Sequence, residues 1–275
     1  VGDLAKDAAV RGSDGRFTAE LSPEWGAWGP NGGFVAAVLR NAALAHGDLP
    51  RVASMTCHFL SVGAFAPVEV EATTLRRARR AQSVRVAMRQ DGRAIAEALV
   101  WLVADDLDGL EHDVARLNGV PGPEGLPYRE ELDTEQADDP DTAPETSMWA
   151  NIQSKPVAWV TDWRNATPRE PYASGWYRFP SHTTGDAARQ LILLDVMAWS
   201  AAWSAHLTDL DYTAPNLDLT VQFHRSAVKD EWLFAEGFAD VAEDGLIGFR
   251  SRVWSGGRNL LASGSGQLLC RPPRS

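Results

Sequence analysis

Cysteine is scarce in this chain, with two residues, Cys57 and Cys270, in 275. Both sit in apolar, strand-like runs, so buried thiols are expected rather than a disulfide framework, and cytoplasm is the expected compartment. No apolar run approaches the ~18 residues of a membrane span. The first residues, VGDLAKDAAVRGSDG, lack the apolar stretch of a signal peptide. Positive charge is also short: 26 Lys and Arg against 37 Asp and Glu leave a net charge of -11. That balance argues against a nucleic-acid surface, which needs clustered cations. The six histidines show no metal spacing, and H-E-x-x-H, C-x-x-C, Walker and G-x-S-x-G patterns are all missing. A metal or Ser-His-Asp mechanism is not expected.

What the chain does have is a repeat. VASMTCHFLSV, from Val52, keeps step with LDLTVQFHRS, from Leu217, when Ser54 is set against Asp218. Thr56 then meets Thr220, and Phe59 meets Phe223. Each stretch follows a helical pattern, residues 31–46 in the first case and 187–207 in the second. In the first copy, Phe34, Val38 and Ala42 recur at helical spacing, behind a loop, EWGAWGPNGG, too rich in glycine and proline for helix. Period-two alternation follows, as in Val84, Val86 and Met88 against Arg85, Ala87 and Arg89. Asp91-Gly92 marks a hairpin between residues 84–90 and 93–103. In the second copy, strands are expected at 218–225, 232–238, 247–254 and 259–271, with Gly256-Gly257 in the hairpin's place. A duplicated α+β domain is therefore predicted, each sheet curling around its own helix and the two sheets joining edge to edge. Residues 1–104 form the first half and 149–275 the second. Residues 105–148, acidic and rich in proline, form a surface connection between them.

The ordered set WGPNGGFVAAVL, HFLSVGAFAPVEVEATTLRRARRAQSVRVAMRQDGRAIA, LLDVMAW, PNLDLTVQFHR and GRNLLAS…GQLLCR resembles the thioesterase-like double hot-dog proteins, the TesB-like group around bacterial acyl-CoA thioesterase II. The resemblance covers both halves and spares the termini and linker. It implies a hydrolase of fatty acid metabolism that splits acyl-CoA into acid and coenzyme A. No cofactor is implied beyond the coenzyme A of the substrate, and a homo-oligomer is. In that family a helix Asp, a Thr or Ser ahead of the second-half strand, and a Gln in the last strand hold the attacking water. The Asp falls on Asp195 and the hydroxyl position on Asn216. The Gln position falls on Gly266, with Gln267 one residue later. A one-residue bulge in SGSGQ would turn Gln267 to the required face; without it, alternation points it away.

Asp195 stands out without the family, because it interrupts the apolar helix LILLDVMAW, where a carboxylate is costly to bury. One reading is an acid that reaches solvent or caps a neighbour. The other is a carboxylate in a cleft whose raised pKa suits a general base. Asn216 can orient a water, or serve as a turn residue after Pro215. Asp218 reads as a structural partner. In NGG, Gly32 and Gly33 would let a helix N-terminus approach a thioester carbonyl, while Asn31 cannot act as a base, so one working site per chain is expected. Arg79 and Arg80, in RRARR, are either a solvated hairpin end or a landing site for coenzyme A phosphates. Trp25 and Trp28 flank the glycine loop and are candidates to shape an acyl pocket; most other tryptophans read as core or interface. A hydratase would want an Asp-His pair near a helix, which is not seen. A non-catalytic acyl or acyl-CoA binder is the alternative that the altered Asn216 and displaced Gln267 keep open.

Overall fold

The computed structural model describes residues 2–132, 148–157, 159, 167, 169–181, 187–207, 212–225 and 229–272. Its elements run α1 (Leu4–Asp7), β1 (Arg11–Ser13), β2 (Arg16–Glu20), α2 (Gly32–His46), β3 (Arg51–Phe59), β4 (Pro67–Arg77), β5 (Ala81–Gln90) and β6 (Arg93–Val103). There follow α3 (Arg129–Leu132), β7 (Gln153–Pro156), β8 (Tyr172–Arg178), α4 (Ala188–Ala205), β9 (Asp218–Phe223), β10 (Trp232–Glu243), β11 (Leu246–Trp254) and β12 (Leu260–Leu269). Among the described residues no helix is long and apolar enough to cross a membrane.

Among the described residues the strands form one sheet of twelve, in the order β1-β2-β4-β5-β6-β3-β9-β12-β11-β10-β8-β7. Read from each end inward, the order is the same: two strands before the helix, three after it in hairpin succession, and the first post-helix strand at the centre. The join is β3 against β9, antiparallel, with Ser54 opposite Gln222, Thr56 opposite Thr220 and His58 opposite Asp218. Thr220 and Thr56, which the repeat equates, face each other with hydroxyls 3.2 Å apart. The local two-fold relation between the halves passes between them. This is the double hot dog expected from the repeat. The sequence pattern did not show β1, β2, β7 and β8, which bring each half to six strands.

Both long helices lie on the inner face. The alternation places Val84, Val86 and Met88, with Ala96, Ala98, Val100 and Leu102, in the core beneath α2. α2 begins at Asn31, whose Oδ1 accepts the Phe34 N–H at 3.0 Å and caps the helix. α2 and α4 meet closely at Gly33, where a Cβ would lie 2.5 Å from both Ile192 Cα and Leu191 O. Glycine is required there by packing.

Two expectations change. The two-residue Asp-Gly hairpin seen at Asp91-Gly92 recurs at Asp14-Gly15 and Asp244-Gly245, each pair with positive φ at both residues. Gly256-Gly257 lies in the longer turn from β11 to β12, where Arg258 takes the positive φ of 63°. The connection after β6, of which residues 133–147 lie outside the described ones, is also more than a surface tether in its first part. Leu117 packs with Trp176, Phe234 and Trp254, joined by Val120 and Leu126, on the outer face of the second half. Lys155 fastens it, donating to the Pro123 carbonyl at 2.8 Å with its ammonium 4.5 Å from the Tyr128 ring centre. The first half's outer face keeps Leu75, Leu99 and Trp101 exposed.

Candidate active site

Asp195 lies in the second turn of α4 and is 7% exposed. Its Oδ2 accepts from Asn31 Nδ2 at 2.8 Å, and its Oδ1 accepts from Asn216 Nδ2 at 2.5 Å. The backbone N–H groups of Gly33 and Gly32, at the start of α2, face the carboxylate and favour its charged form. A Cβ on Gly32 would sit 2.6 Å from Asp195 Oδ1. The second glycine-dependent approach is thus between the helix N-terminus and this carboxylate. The site is built from both halves: α2 and its cap from the first, α4 and the approach to β9 from the second.

Burial pushes the Asp195 pKa up to about 6, against the opposing pull of hydrogen bonds from Asn216, Gly33, Asn31 and Gly32. Removal from water outweighs these partners, because the charged form loses hydration that they only partly replace. Asp195 is therefore ionised near neutrality yet able to take a proton. Cys57, fully buried on β3, has its thiol pKa pushed up by burial and then by the charges of Asp195 and Asp218, so it stays protonated and is no nucleophile. Among the described residues no cluster of three His, Cys, Asp or Glu side chains is placed to hold a metal.

Asn216, two residues ahead of β9, joins Asp195 as the family pattern implies. Its Oδ1 is buried and finds no donor among the described residues. Gln267 does not join them. β12 runs without a break from Ala262 to Leu269 against β11, and its register shift falls at Val253/Trp254, outside SGSGQ. Strict alternation buries Leu268 and turns Gln267 outward, exposed. The inward position is Gly266, where a Cβ would lie 2.3 Å from the Asp218 carbonyl. No side chain fits there. Asp218 is a structural partner: its Oδ1 accepts the Gln267 N–H at 3.1 Å and ties β9 to β12.

The tryptophans divide. Trp25 is 1% exposed and stacks between Phe34 and Phe179, with its Nε1 donating to Asp7, so it belongs to the core and lines no open pocket. Trp28 is exposed and meets Trp199 edge to face at 5.5 Å. Trp199 is one turn after Asp195 on α4, so this pair stands at the edge of the site. The i, i+4 spacing of Asp195 and Trp199 in the sequence is the signal that points to this neighbour.

Arg79 and Arg80 are placed elsewhere. Their turn is level with Arg51, since Val103 pairs with both Ala81 and Arg51. Asp195 lies at the Phe59 end of β3, where the Gly32 position faces both Asp195 and Phe59. At ~3.3 Å per residue the nine residues of β3 separate these levels by roughly 26 Å. The basic turn does not adjoin the Asp195 site.

A family model of the acyl-CoA thioesterase N-terminal domain matches residues 21–103, and one of the acyl-CoA thioesterase C-terminal domain matches residues 125–269. Among solved structures, a conserved hot-dog-fold protein of unknown function from Alicyclobacillus acidocaldarius superposes with a TM-score of 0.82 at 20% identity, over 98% of both chains. Acyl-CoA thioesterase II TesB2 from Mycobacterium marinum superposes at 0.76 with 19% identity, again over 98% of both. At such identity these likenesses speak for the fold. No curated protein sequence matches the chain.

Proposed function

The chain belongs to the acyl-CoA thioesterase family, and on that premise we propose that it hydrolyses an acyl-CoA to the free acid and coenzyme A with a water activated by Asp195. The observation that carries this is the buried carboxylate at the meeting of the two halves, held by amide donors and poised near pH 6. The water gives one proton to Asp195 as its oxygen attacks the thioester carbon. The Asn216 carbonyl, which has no donor among the described residues, accepts the water's other hydrogen. As Asp195 takes the proton, the Gly32 and Gly33 amides face less charge and turn to the oxyanion forming on the substrate. The C–S bond then breaks, and the departing thiolate recovers the proton from Asp195. With a thiol pKa near ~8.5 for the leaving group, no stronger acid is needed.

The substrate is a soluble acyl-CoA, no further cofactor takes part, and a cytoplasmic setting keeps Cys57 and Cys270 as the free thiols they are here. Two observations favour a second reading, a binder that does not turn over. The side-chain amides of Asn31 and Asn216 already take one oxygen each of the carboxylate, and Gln267 points away. Thiol release from short, long and aromatic acyl-CoA esters separates the two. Turnover that falls by about a hundredfold or more in Asp195→Asn supports a general base. Turnover that survives the substitution removes Asp195 from the mechanism. Tight binding without turnover in the wild type establishes the binder.

A further inference from the structure

The glycine loop ahead of α2 folds back on itself as a short tongue. The Ala27 N–H donates to the Gly29 carbonyl at 2.8 Å and the Asn31 N–H to the Trp25 carbonyl at 2.9 Å, while Gly26 bridges Pro30. Trp28 therefore stands at the tip. Three glycines at three-residue intervals along the tongue meet three apolar residues, spaced alike, that run the other way from the end of β3. A Cβ on Gly32 would lie 3.0 Å from Phe59 Cζ, one on Gly29 2.6 Å from Val62 Cγ1, and one on Gly26 2.8 Å from Phe65 Cζ. The tongue thus lies flush on an apolar bed that begins at Gly32, where the Asp195 carboxylate is also in contact. Trp28 is 58% exposed, Val62 52% and Phe65 44%, and Trp199 of α4 abuts Trp28 edge to face. This exposure does not come from looseness. The buried Gln90 accepts the Ala64 N–H at 2.7 Å on Oε1 and donates from Nε2 to the carbonyls of Ala64 at 3.1 Å and Pro67 at 3.2 Å. Arg93 donates to the Val62 carbonyl at 2.7 Å. A water-facing apolar surface held this firmly, next to a buried carboxylate, is a preformed seat for an apolar group.

We propose that this seat takes the acyl group of the thioester and, being open to solvent, sets a minimum apolar size for that group and no maximum. The thioester's own position, at Asp195 and the start of α2, rests on the hydrolytic reading. From there an acyl chain has two directions. Inward, α2 and α4 meet at Gly33 without room for a methyl group against Ile192 and Leu191, and Leu191 to Leu194 are fully buried. Outward lie Phe59, Val62 and Phe65, with the Trp28–Trp199 pair beside them. The pantetheine arm of coenzyme A is the poorer occupant, because its amide N–H groups would lose water to side chains that carry no acceptor. Each methylene laid on the seat is worth about two- to fourfold in affinity, the upper figure being that of full burial. A flat aryl group gains further by stacking on an indole. Medium, long and aryl acyl-CoA esters are thus the favoured class, and acetyl-CoA is a poor substrate. A closed tunnel would instead stop at a definite chain length. Here a chain longer than the seat passes on into water.

Calorimetric titration of the full chain with S-ethyl, S-butyl, S-octyl, S-dodecyl and S-benzyl coenzyme A, thioethers that cannot be hydrolysed, tests the seat without turnover. Affinity is expected to rise by about two- to fourfold per methylene over the short members and then to level, with no fall at dodecyl. Trp28→Ala should cut the octyl-to-ethyl ratio by about tenfold or more. Val62→Ser, at a second exposed position, should lower it in the same direction and serves should Trp28→Ala fail to fold. Trp101→Ala, an exposed tryptophan on the outer face of the first half, should keep the wild-type ratio. Five results overturn the proposal: no thioether binds, affinity ignores chain length, it collapses at dodecyl, the ratio survives both substitutions, or Trp28→Ala weakens free coenzyme A as much as the octyl thioether. The last would assign the seat to the pantetheine arm. Thiol release from the matching esters reports separately on the hydrolytic reading. Chain-length dependence without thiol release keeps the seat and removes the hydrolysis, whereas thiol release whose chain-length dependence ignores Trp28 and Val62 does the reverse.

Discussion

Asn31 and Asp195 are 164 residues apart and are joined by a 2.8 Å hydrogen bond from the Asn31 side-chain amide to Asp195 Oδ2. Thr56 and Thr220 are separated by the same count and also touch. Each half supplies one member of both contacts, so the halves meet side chain to side chain near the local two-fold. At this first pair one copy carries the donor and the other the acceptor.

The balance on Asp195 sets a pH profile. kcat/KM is expected to rise through about pH 6 as the carboxylate ionises, then to level off. Asn216 is the strongest of the groups that pull this pKa down, so Asn216→Ala should move the midpoint to higher pH and lower the plateau. Initial rates with one acyl-CoA across pH 5 to 8 measure both. An unmoved midpoint would separate Asn216 from the ionisation that controls the rate.

Stability should carry the same group with the opposite trend. The folded chain holds the Asp195 proton to about pH 6, whereas the unfolded chain releases it near the ordinary value of 3.8. Wild-type stability relative to Asp195→Asn is thus greatest below about pH 4 and declines as pH rises to about 6, by on the order of 3 kcal/mol. Denaturant melts of both proteins at several pH values give the difference, and a flat difference would mean the carboxylate is not buried at a cost.

Gln267→Ala should leave thiol release almost unchanged and stability within about 0.5 kcal/mol, because the side chain is on the outer face of β12. A large loss of kcat would place that side chain in the site and break the register described for β12.

Gly33→Ala should destabilise the chain by about 1–3 kcal/mol, since its methyl must displace the α4 backbone at Ile192 and Leu191. The shift would also carry the Gly32 and Gly33 amides away from Asp195, so turnover should fall with melting temperature. A melt matching wild type would show that the two helices part freely.

The central fold was written plainly in the sequence because it is local and periodic. The β5 and β6 alternation, the α2 boundary at Asn31 and the Asp91-Gly92 hairpin each depend on a few adjacent residues. The repeat that sets Ser54 against Asp218 predicted that the two sheets join edge to edge but not which strands meet, and in the sheet Ser54 is opposite Gln222. β1, β2, β7 and β8 were missed because they are short or lack clean alternation: β1 is wholly exposed, and β8 buries four consecutive residues, Ser174 to Tyr177. Asp195 was legible as a polar residue in an apolar run, and the SGSGQ register was not, since a bulge depends on partner strands. Arg79 and Arg80 misled for a related reason. A basic cluster announces an affinity for anions but not which end of a sheet it occupies.

The sheet ends in β1, three residues long, and β7, four residues long and closing on Pro156. The long strands are all inside the ladder, and proline supplies no N–H for pairing. Among the described residues the sheet therefore offers little backbone template at either margin for a neighbouring molecule to extend, a guard against edge-to-edge aggregation at a sheet of this width.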